Sequence, residues 1–410
     1  VGQYRYLERG FMGVYSYRFS LLLLLSIVMG GVTAYIWGPH AVMLKPLGDI
    51  FLNLLYTIII PLIFFSVSSA IAGIEELKRL RKIFSTMFSV FLATGGIAAI
   101  FMMVLVALFP LTKNVTLTLN HPALTHTIDI GSEITHILTV PNLGDLFQPN
   151  NMLALIFVAI LVGLATSLSG EKAKPFAQFL QAGAHVFMTV ISFVMYYAPI
   201  GFFAFFAVLV SKLGPVLFES YFRTTIIYYA GGIIYFFAAF TLFAFLSNRK
   251  TGVKTFWHNV MPPAMTALAT CSSAASIPIN MIAVKNMGIA DDIYETVIPL
   301  GTVIHKQGSI LGGVVKIAFL YGIFHMNFFT PFALGSTWVV AILVGTVMGA
   351  IPSGGMLGEM LILSVYGFPP QALFIIATIS IIIDPLATVL NVVGNTVACQ
   401  LVARFTARIS

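Results

Sequence analysis

Residues 301–309 read Gly-Thr-Val-Ile-His-Lys-Gln-Gly-Ser and sit inside an apolar segment running from about Val297 to Leu320. A lysine at a bilayer centre costs about 2.5–3.5 kcal/mol on insertion scales. A polar cluster with a glycine in such a span predicts an interrupted helix. Lipid tolerates a broken spanning helix only where the freed backbone is buried in protein or lines a cavity. In transporters such breaks hold substrate and ions. Lys306 and its neighbours therefore point to a solute carrier.

Composition agrees with a membrane chain. Hydrophobic residues make up 59% of the 410 and charged residues only 9%, against about 25% charged in soluble domains. The net charge of +7 is not a nucleic-acid signature, because the basic residues fall in short segments between apolar runs. They are Arg5, Arg9 and Arg18; Lys78, Arg79, Arg81 and Lys82; Lys172 and Lys174; and Arg249, Lys250 and Lys254. This is the positive-inside pattern. With the basic segments cytoplasmic, both termini are expected inside and the polar loop 112–151 outside, and a prokaryotic inner or plasma membrane is the expected location. Cys271 and Cys399 lie in apolar surroundings and form no disulfide framework. Leu21–Met29 reads as part of a first spanning helix, since no small-residue cleavage site follows.

Apolar runs fall near 18–37, 47–73, 84–111, 152–168, 176–210 and 221–247. After Asn248 the pattern changes. Residues 256–285 are interrupted by Pro262, Pro263 and the run Cys271-Ser272-Ser273-Ala274-Ala275-Ser276-Ile277-Pro278. Neither half reaches the roughly 20 residues a crossing needs, so a re-entrant hairpin is expected. The span with His305 and Lys306 follows. A second interrupted segment, about 336–367, carries Pro352-Ser353-Gly354-Gly355 at its middle. A last span, about 371–404, contains Asp384-Pro385 and Asn391-Val392-Val393-Gly394-Asn395. A small-residue hairpin followed by a polar broken helix thus occurs twice, a pattern of transporters built from repeats.

At these residues the chain resembles the dicarboxylate/amino acid:cation symporter family, which includes the glutamate and aspartate transporters. The landmarks are Ser272-Ser273 with Pro278, Ile298-Pro299-Leu300-Gly301, Pro352-Ser353-Gly354-Gly355, Asn391-Val392-Val393-Gly394, and Tyr197-Ala198-Pro199-Ile200-Gly201. The resemblance implies an all-α polytopic membrane protein with eight transmembrane helices, two re-entrant hairpins and inverted repeats. It implies a homotrimer in a lipid bilayer, working as an elevator. Residues 1–77 and 112–215 would form the scaffold, and 78–111 and 216–410 the moving transport domain.

The resemblance also implies roles. Asp384 matches the aspartate that holds a substrate amino group, and Asn391 the asparagine that contacts substrate and ions. Ser272, Ser273, Ser309, Ser353, Gly354, Gly355 and Thr388 complete the substrate set. The family's Asn-Met-Asp-Gly-Thr break reads His305-Lys306-Gln307-Gly308-Ser309 here. Its two sodium-binding aspartates fall on Gln307 and Asn395, and its side-chain-reading arginine falls on Ala387 or, alternatively, Cys271. The ion and charge-coupling candidates are therefore His305, Lys306, Gln307, Glu359 and Asn395. Lys306 stands where a cation would, or pairs with Asp384, or snorkels toward an interface. Glu359 is a proton site or one half of an ion pair with Lys316.

The expectation is a secondary transporter, not an enzyme, moving a small carboxylate-bearing solute, an amino acid. No cofactor, metal site or nucleic-acid partner is expected. Sodium coupling is weakened or absent, with a proton, exchange or no coupling ion instead. The rivals are a sodium- or proton-coupled symporter of acidic amino acids or dicarboxylates, a channel on the same fold, and a homologue that binds without transporting. His121, His126 and His136, with Asp129 and Glu133, have poor metal spacing.

Overall fold

A computed structural model describes residues 17–72, 77–112, 139–148, 151–213, 216–347 and 354–406. Most of the 112–151 loop, with its histidines, and Ser353 at the second expected tip lie outside the described residues. Regular structure among the described residues is entirely helical. That follows from an apolar chain with no water to satisfy its backbone.

The helices of ten or more residues, in chain order, are α1 (Tyr17–Trp37), α2 (Lys45–Ala72), α3 (Leu77–Leu108), α4 (Met152–Leu168), α5 (Lys174–Leu213) and α6 (Val216–Asn259). Then come α7 (Met261–Thr270), α8 (Ile277–Asn286), α9 (Asp291–Ile304), α10 (Gln307–Ile323), α11 (Pro331–Val347), α12 (Gly354–Tyr366) and α13 (Ala372–Thr406). The six apolar runs before Asn248 coincide with α1 to α6. Among the described residues six stretches are long and apolar enough to cross a membrane, and the first of them, Leu22–Ser69, takes in most of α1 and α2. The protein is an integral membrane protein.

Packing divides the helices into two groups. Helices α1, α2 and α4 pack mainly on one another or on α5; α3 and α6 to α13 pack around α13 and α10. Between the groups thinner contacts join α12 to α4, α13 to α1, and α5 to α6, and Phe374 of α13 packs on Phe51 of α2 and stacks on Phe205 of α5 with centroids 4.0 Å apart. The buried apolar residues of both groups form one continuous cluster. Nearly every residue of α10 is buried, so this helix is enclosed by protein and not by lipid. An all-round apolar helix is what such a position requires.

The first expected interruption is present. α7 and α8 are ten residues each, pack on each other and on α13, and are joined by residues 271–276. Cys271 ends α7 in the left-handed region, at φ 47°. The Ser272 hydroxyl accepts the Ala275 N–H at 3.2 Å, and the Ser276 hydroxyl donates back to the Ser272 carbonyl at 3.0 Å. The break at 305–306 is also present: His305 and Lys306 are extended between α9 and α10.

The second polar broken helix is not. α13 runs unbroken through Asp384-Pro385 and Asn391–Asn395. Pro385 removes one backbone donor, yet the Tyr229 hydroxyl donates to the Ile382 carbonyl at 3.0 Å in the disturbed turn. With that turn supported and most of the helix buried, the chain keeps its helical bonds.

Candidate functional site

The site is built where the α9–α10 break crosses α13. The two backbones touch: a Cβ on Gly308 would lie 2.7 Å from Ala387 Cα and overlap its carbonyl oxygen. Only glycine permits this approach. The freed backbone is satisfied from neighbouring helices. The Gly308 carbonyl accepts from the Tyr228 hydroxyl at 2.9 Å. The Ser309 N–H donates to Asn391 Oδ1 at 3.1 Å, and Asn391 Nδ2 returns a bond to the Ser309 hydroxyl at 3.2 Å.

His305 anchors one side of the break. Its ring stacks on Phe91 with centroids 4.2 Å apart and planes 5° from parallel. Nδ1 lies 2.8 Å from Asn395 Oδ1, and Nε2 lies 2.9 Å from Thr94 Oγ1 and 3.2 Å from Gln307 Nε2. The Tyr235 hydroxyl donates to Gln307 Oε1 at 2.7 Å. These bonds form a consistent chain: Tyr235 to Gln307, Gln307 to His305, and His305 to Asn395. Every side chain in that chain can be neutral. Gly301 makes room for it, since a Cβ there would sit 2.6 Å from Asn395 Oδ1. Asn395 Nδ2 is buried and without a partner among the described residues.

Lys306 lies on the other side of the break and is only 6% exposed. Its charge and that of Asp384, on α13, act on each other. Asp384 also accepts a 3.4 Å bond from the Thr388 hydroxyl one turn on. The α7–α8 tip closes on the same region, because Cys271 lies within electrostatic reach of Asp384. Lys306 precedes the first turn of α10, where the helix dipole favours an anion, although the Ser309 N–H is taken by Asn391 and the Ile310 N–H by the Lys306 carbonyl. An ammonium there strengthens that preference. A carboxylate at Asp384 opposite it suits a cationic group.

The break thus gathers His305, Gln307 and Asn395 in one network, Ser309 with Asn391, and Lys306 with Asp384 and Thr388. Ser272 and Ser273 stand at the neighbouring tip. Gly354 and Gly355 open α12. Glu359 is elsewhere: it pairs with Lys316 at 2.9 Å, both buried, with Ser380 touching each. Residue-by-residue reading missed Thr94, Phe91, Ser380 and the tyrosines of α6. A signal for the last was available. Tyr221, Tyr228 and Tyr235 recur every seven residues, so they share one helix face. Each hydroxyl donates into the core, to Ile375, Gly308 and Gln307 respectively.

The chain is similar over 93% of its length to a proton/sodium-glutamate symport protein of Bacillus caldotenax, 28% identical and matched over 92% of that protein. It is 27% identical to a C4-dicarboxylate transport protein of Citrifermentans bemidjiense, across 93% of this chain and 89% of that one. A neutral amino acid transporter B(0) of Bos taurus matches 63% of the chain at 28% identity, covering 48% of the bovine protein. Residues 19–405 match the model of the sodium:dicarboxylate symporter family. With nearly the whole chain covered, and with the broken helix and its hairpin in place, the protein belongs to the sodium:dicarboxylate symporter family, a family of secondary transporters and not of enzymes.

Proposed function

We propose that this protein carries a small carboxylate-bearing solute, an amino acid, across a prokaryotic plasma membrane without tight sodium coupling. The observation that carries the reading is the cation of Lys306 in the break, before the first turn of α10 and opposed by Asp384. A zwitterion answers both charges: its carboxylate meets Lys306 and the positive end of the α10 dipole, and its ammonium meets Asp384. No arginine stands at Ala387 or Cys271 for a second carboxylate, so a neutral amino acid is preferred over aspartate or glutamate. The two positions where the family resemblance expects acidic sodium ligands, Gln307 and Asn395, are both engaged by His305. Two neutral amides bonded to that ring offer a sodium ion no counter-charge.

The proposed motion follows the packing. Helices α3 and α6 to α13 move as one body against a scaffold of α1, α2, α4 and α5, which assembles as a homotrimer. Eight crossings are proposed: α1 to α6, α9 with α10, and α13. The hairpins α7–α8 and α11–α12 are re-entrant, and both termini are cytoplasmic. The relatives' own names support a second reading, a proton- or sodium-coupled symporter of glutamate or C4-dicarboxylates.

Radiolabelled uptake into proteoliposomes tests both. Saturable uptake of serine or alanine exceeding that of aspartate and succinate, equal in sodium and choline buffers, is the expected result. Uptake of aspartate or succinate alone supports the second reading. Binding without saturable uptake contradicts transport.

A further inference from the structure

Helix α6 folds back on itself. Its backbone leaves helical geometry at Asn248 (φ −152°, ψ 46°) and Arg249 (φ 46°, ψ −137°), and a short second arm returns along the first. Trp257 stacks on Phe237 with centroids 5.5 Å apart, and its indole N–H donates to the Thr241 hydroxyl at 3.1 Å. Phe256 meets Phe240 across the same seam. The second arm then runs into α7 without losing helical phase. The Val260 N–H donates to the Phe256 carbonyl at 3.0 Å, and the Ala264 N–H to the Val260 carbonyl at 3.1 Å.

One face of this run, with Phe256, Val260, Ala264 and Ala267, is buried. The opposite face is exposed and changes character along its length. Lys250, Lys254 and His258 come first, then Met261, Met265 and Leu268, the last three 44–59% exposed. These six recur every three or four residues, so they share one side of the helix. Arg249 is exposed at the start of the same run. Arg404 joins from α13. The Thr255 hydroxyl accepts from Gln400 at 3.4 Å, and Cys271 lies within electrostatic reach of Asp384, so the run and α13 are antiparallel and exposed Arg404 stands level with Thr251.

The fold does not neutralise these cations. Among the described residues none of Arg249, Lys250, Lys254 and Arg404 forms an ion pair. The helices packed mainly on α6 are α3, α5, α7, α8, α10 and α13, and the one acid they carry is Asp384. Asp384 is at the hairpin tip, and about 25 Å of helix separates Lys254 from Cys271 there. The acid of α6 itself, Glu219, opens its first arm.

We propose that this face binds one anionic phospholipid, with its phosphate at Lys250, Lys254 and Arg404 and an acyl chain along Met261, Met265 and Leu268. Ammonium and guanidinium groups are strong donors to phosphate oxygens, and basic clusters beside membrane helices attract anionic headgroups. Trp257 lies between the cationic and apolar stretches, the level at which tryptophan lines a membrane interface. A free phosphate ion would leave the methionine face unanswered, and a zwitterionic lipid would leave the cations unanswered. The inference rests on the chain lying in a membrane and not on which solute it carries.

The test uses Trp257 as the reporter. Trp37→Phe with Trp338→Phe leaves it as the only tryptophan. In phosphatidylcholine vesicles, phosphatidylglycerol brominated on its acyl chains should quench Trp257 about twofold or more as strongly as the same amount of brominated phosphatidylcholine. The preference should vanish in Lys250→Gln with Lys254→Gln and survive added inorganic phosphate. Because Trp338 donates to the Gly96 carbonyl, the unaltered chain is also melted in detergent with each lipid. Phosphatidylglycerol should raise its melting temperature above that in phosphatidylcholine, as a bound ligand does, and the two lysine changes should remove the difference. Equal quenching by the two lipids overturns the proposal, as does a preference or a melting shift that persists without the two lysines. Loss of the preference on adding inorganic phosphate overturns it in favour of a free-anion site.

Discussion

Lys306 and Lys316 are ten residues apart in one continuous buried segment, yet their surroundings differ in kind. Lys316 stands mid-helix, 2.9 Å from Glu359, with Ser380 as a second acceptor. Lys306 stands outside regular structure, between the last carbonyls of α9 and the first amides of α10. Asp384, within electrostatic reach of it, stands on a helix that Pro385 fails to break. The first lysine is held by a side-chain pair within three packed helices. The second is held at helix ends, where backbone dipoles are free to meet a ligand. On the proposed function, the lysine at the break answers to substrate and the lysine inside the helix answers to packing.

The largest expected effect tests that contrast at Lys306. Lys306→Met leaves Asp384 without its cation, a change worth about 3–5 kcal/mol for a buried set. Transport in proteoliposomes should fall by about a hundredfold or more while the protein still elutes as an assembled particle. Wild-type rates in that variant would mean the lysine only snorkels.

Lys316→Met should act on stability and not first on transport. Breaking the pair costs about 3–5 kcal/mol, whereas replacing both members with neutral residues of similar size is close to neutral. Thermal unfolding of Lys316→Met and of Lys316→Met with Glu359→Gln separates these outcomes. Equal losses in both would show that the pair is not the unit that matters.

Smaller effects are expected from the backbone crossing. Gly308→Ala forces a methyl into the Ala387 backbone, an overpacking change of about 1–3 kcal/mol. Gly335, in α11, faces open space, so Gly335→Ala should be neutral or stabilising by up to about 1 kcal/mol. Melting temperatures that order these two the other way would remove the close crossing of α10 and α13 from the account.

The outline of the fold was legible because lipid leaves few choices. Apolar runs became helices, and the polar cluster at 305–309 opened the helix where Lys306 and its neighbours indicated. The unbroken α13 was not legible. Asp384-Pro385 and the polar Asn391–Asn395 run look like a second interruption when read alone. Whether a proline breaks a helix depends on support from other segments, here Tyr229, and no local pattern shows it. The same limit hid Thr94 and Phe91, which reach His305 from a helix more than two hundred residues earlier. Ser380 carried no signal beside a run of isoleucines. The pairing of Glu359 with Lys316 was legible because so apolar a chain offers few partners for a buried acid.

The most direct test of the central claim is the affinity of the purified protein for serine in sodium against choline buffer at equal ionic strength. With Lys306 in the break, and Gln307 and Asn395 engaged by His305, the account predicts dissociation constants within about twofold of each other. A sodium-dependent gain of about tenfold, or 1.4 kcal/mol, would contradict it and return a bound sodium ion to the site.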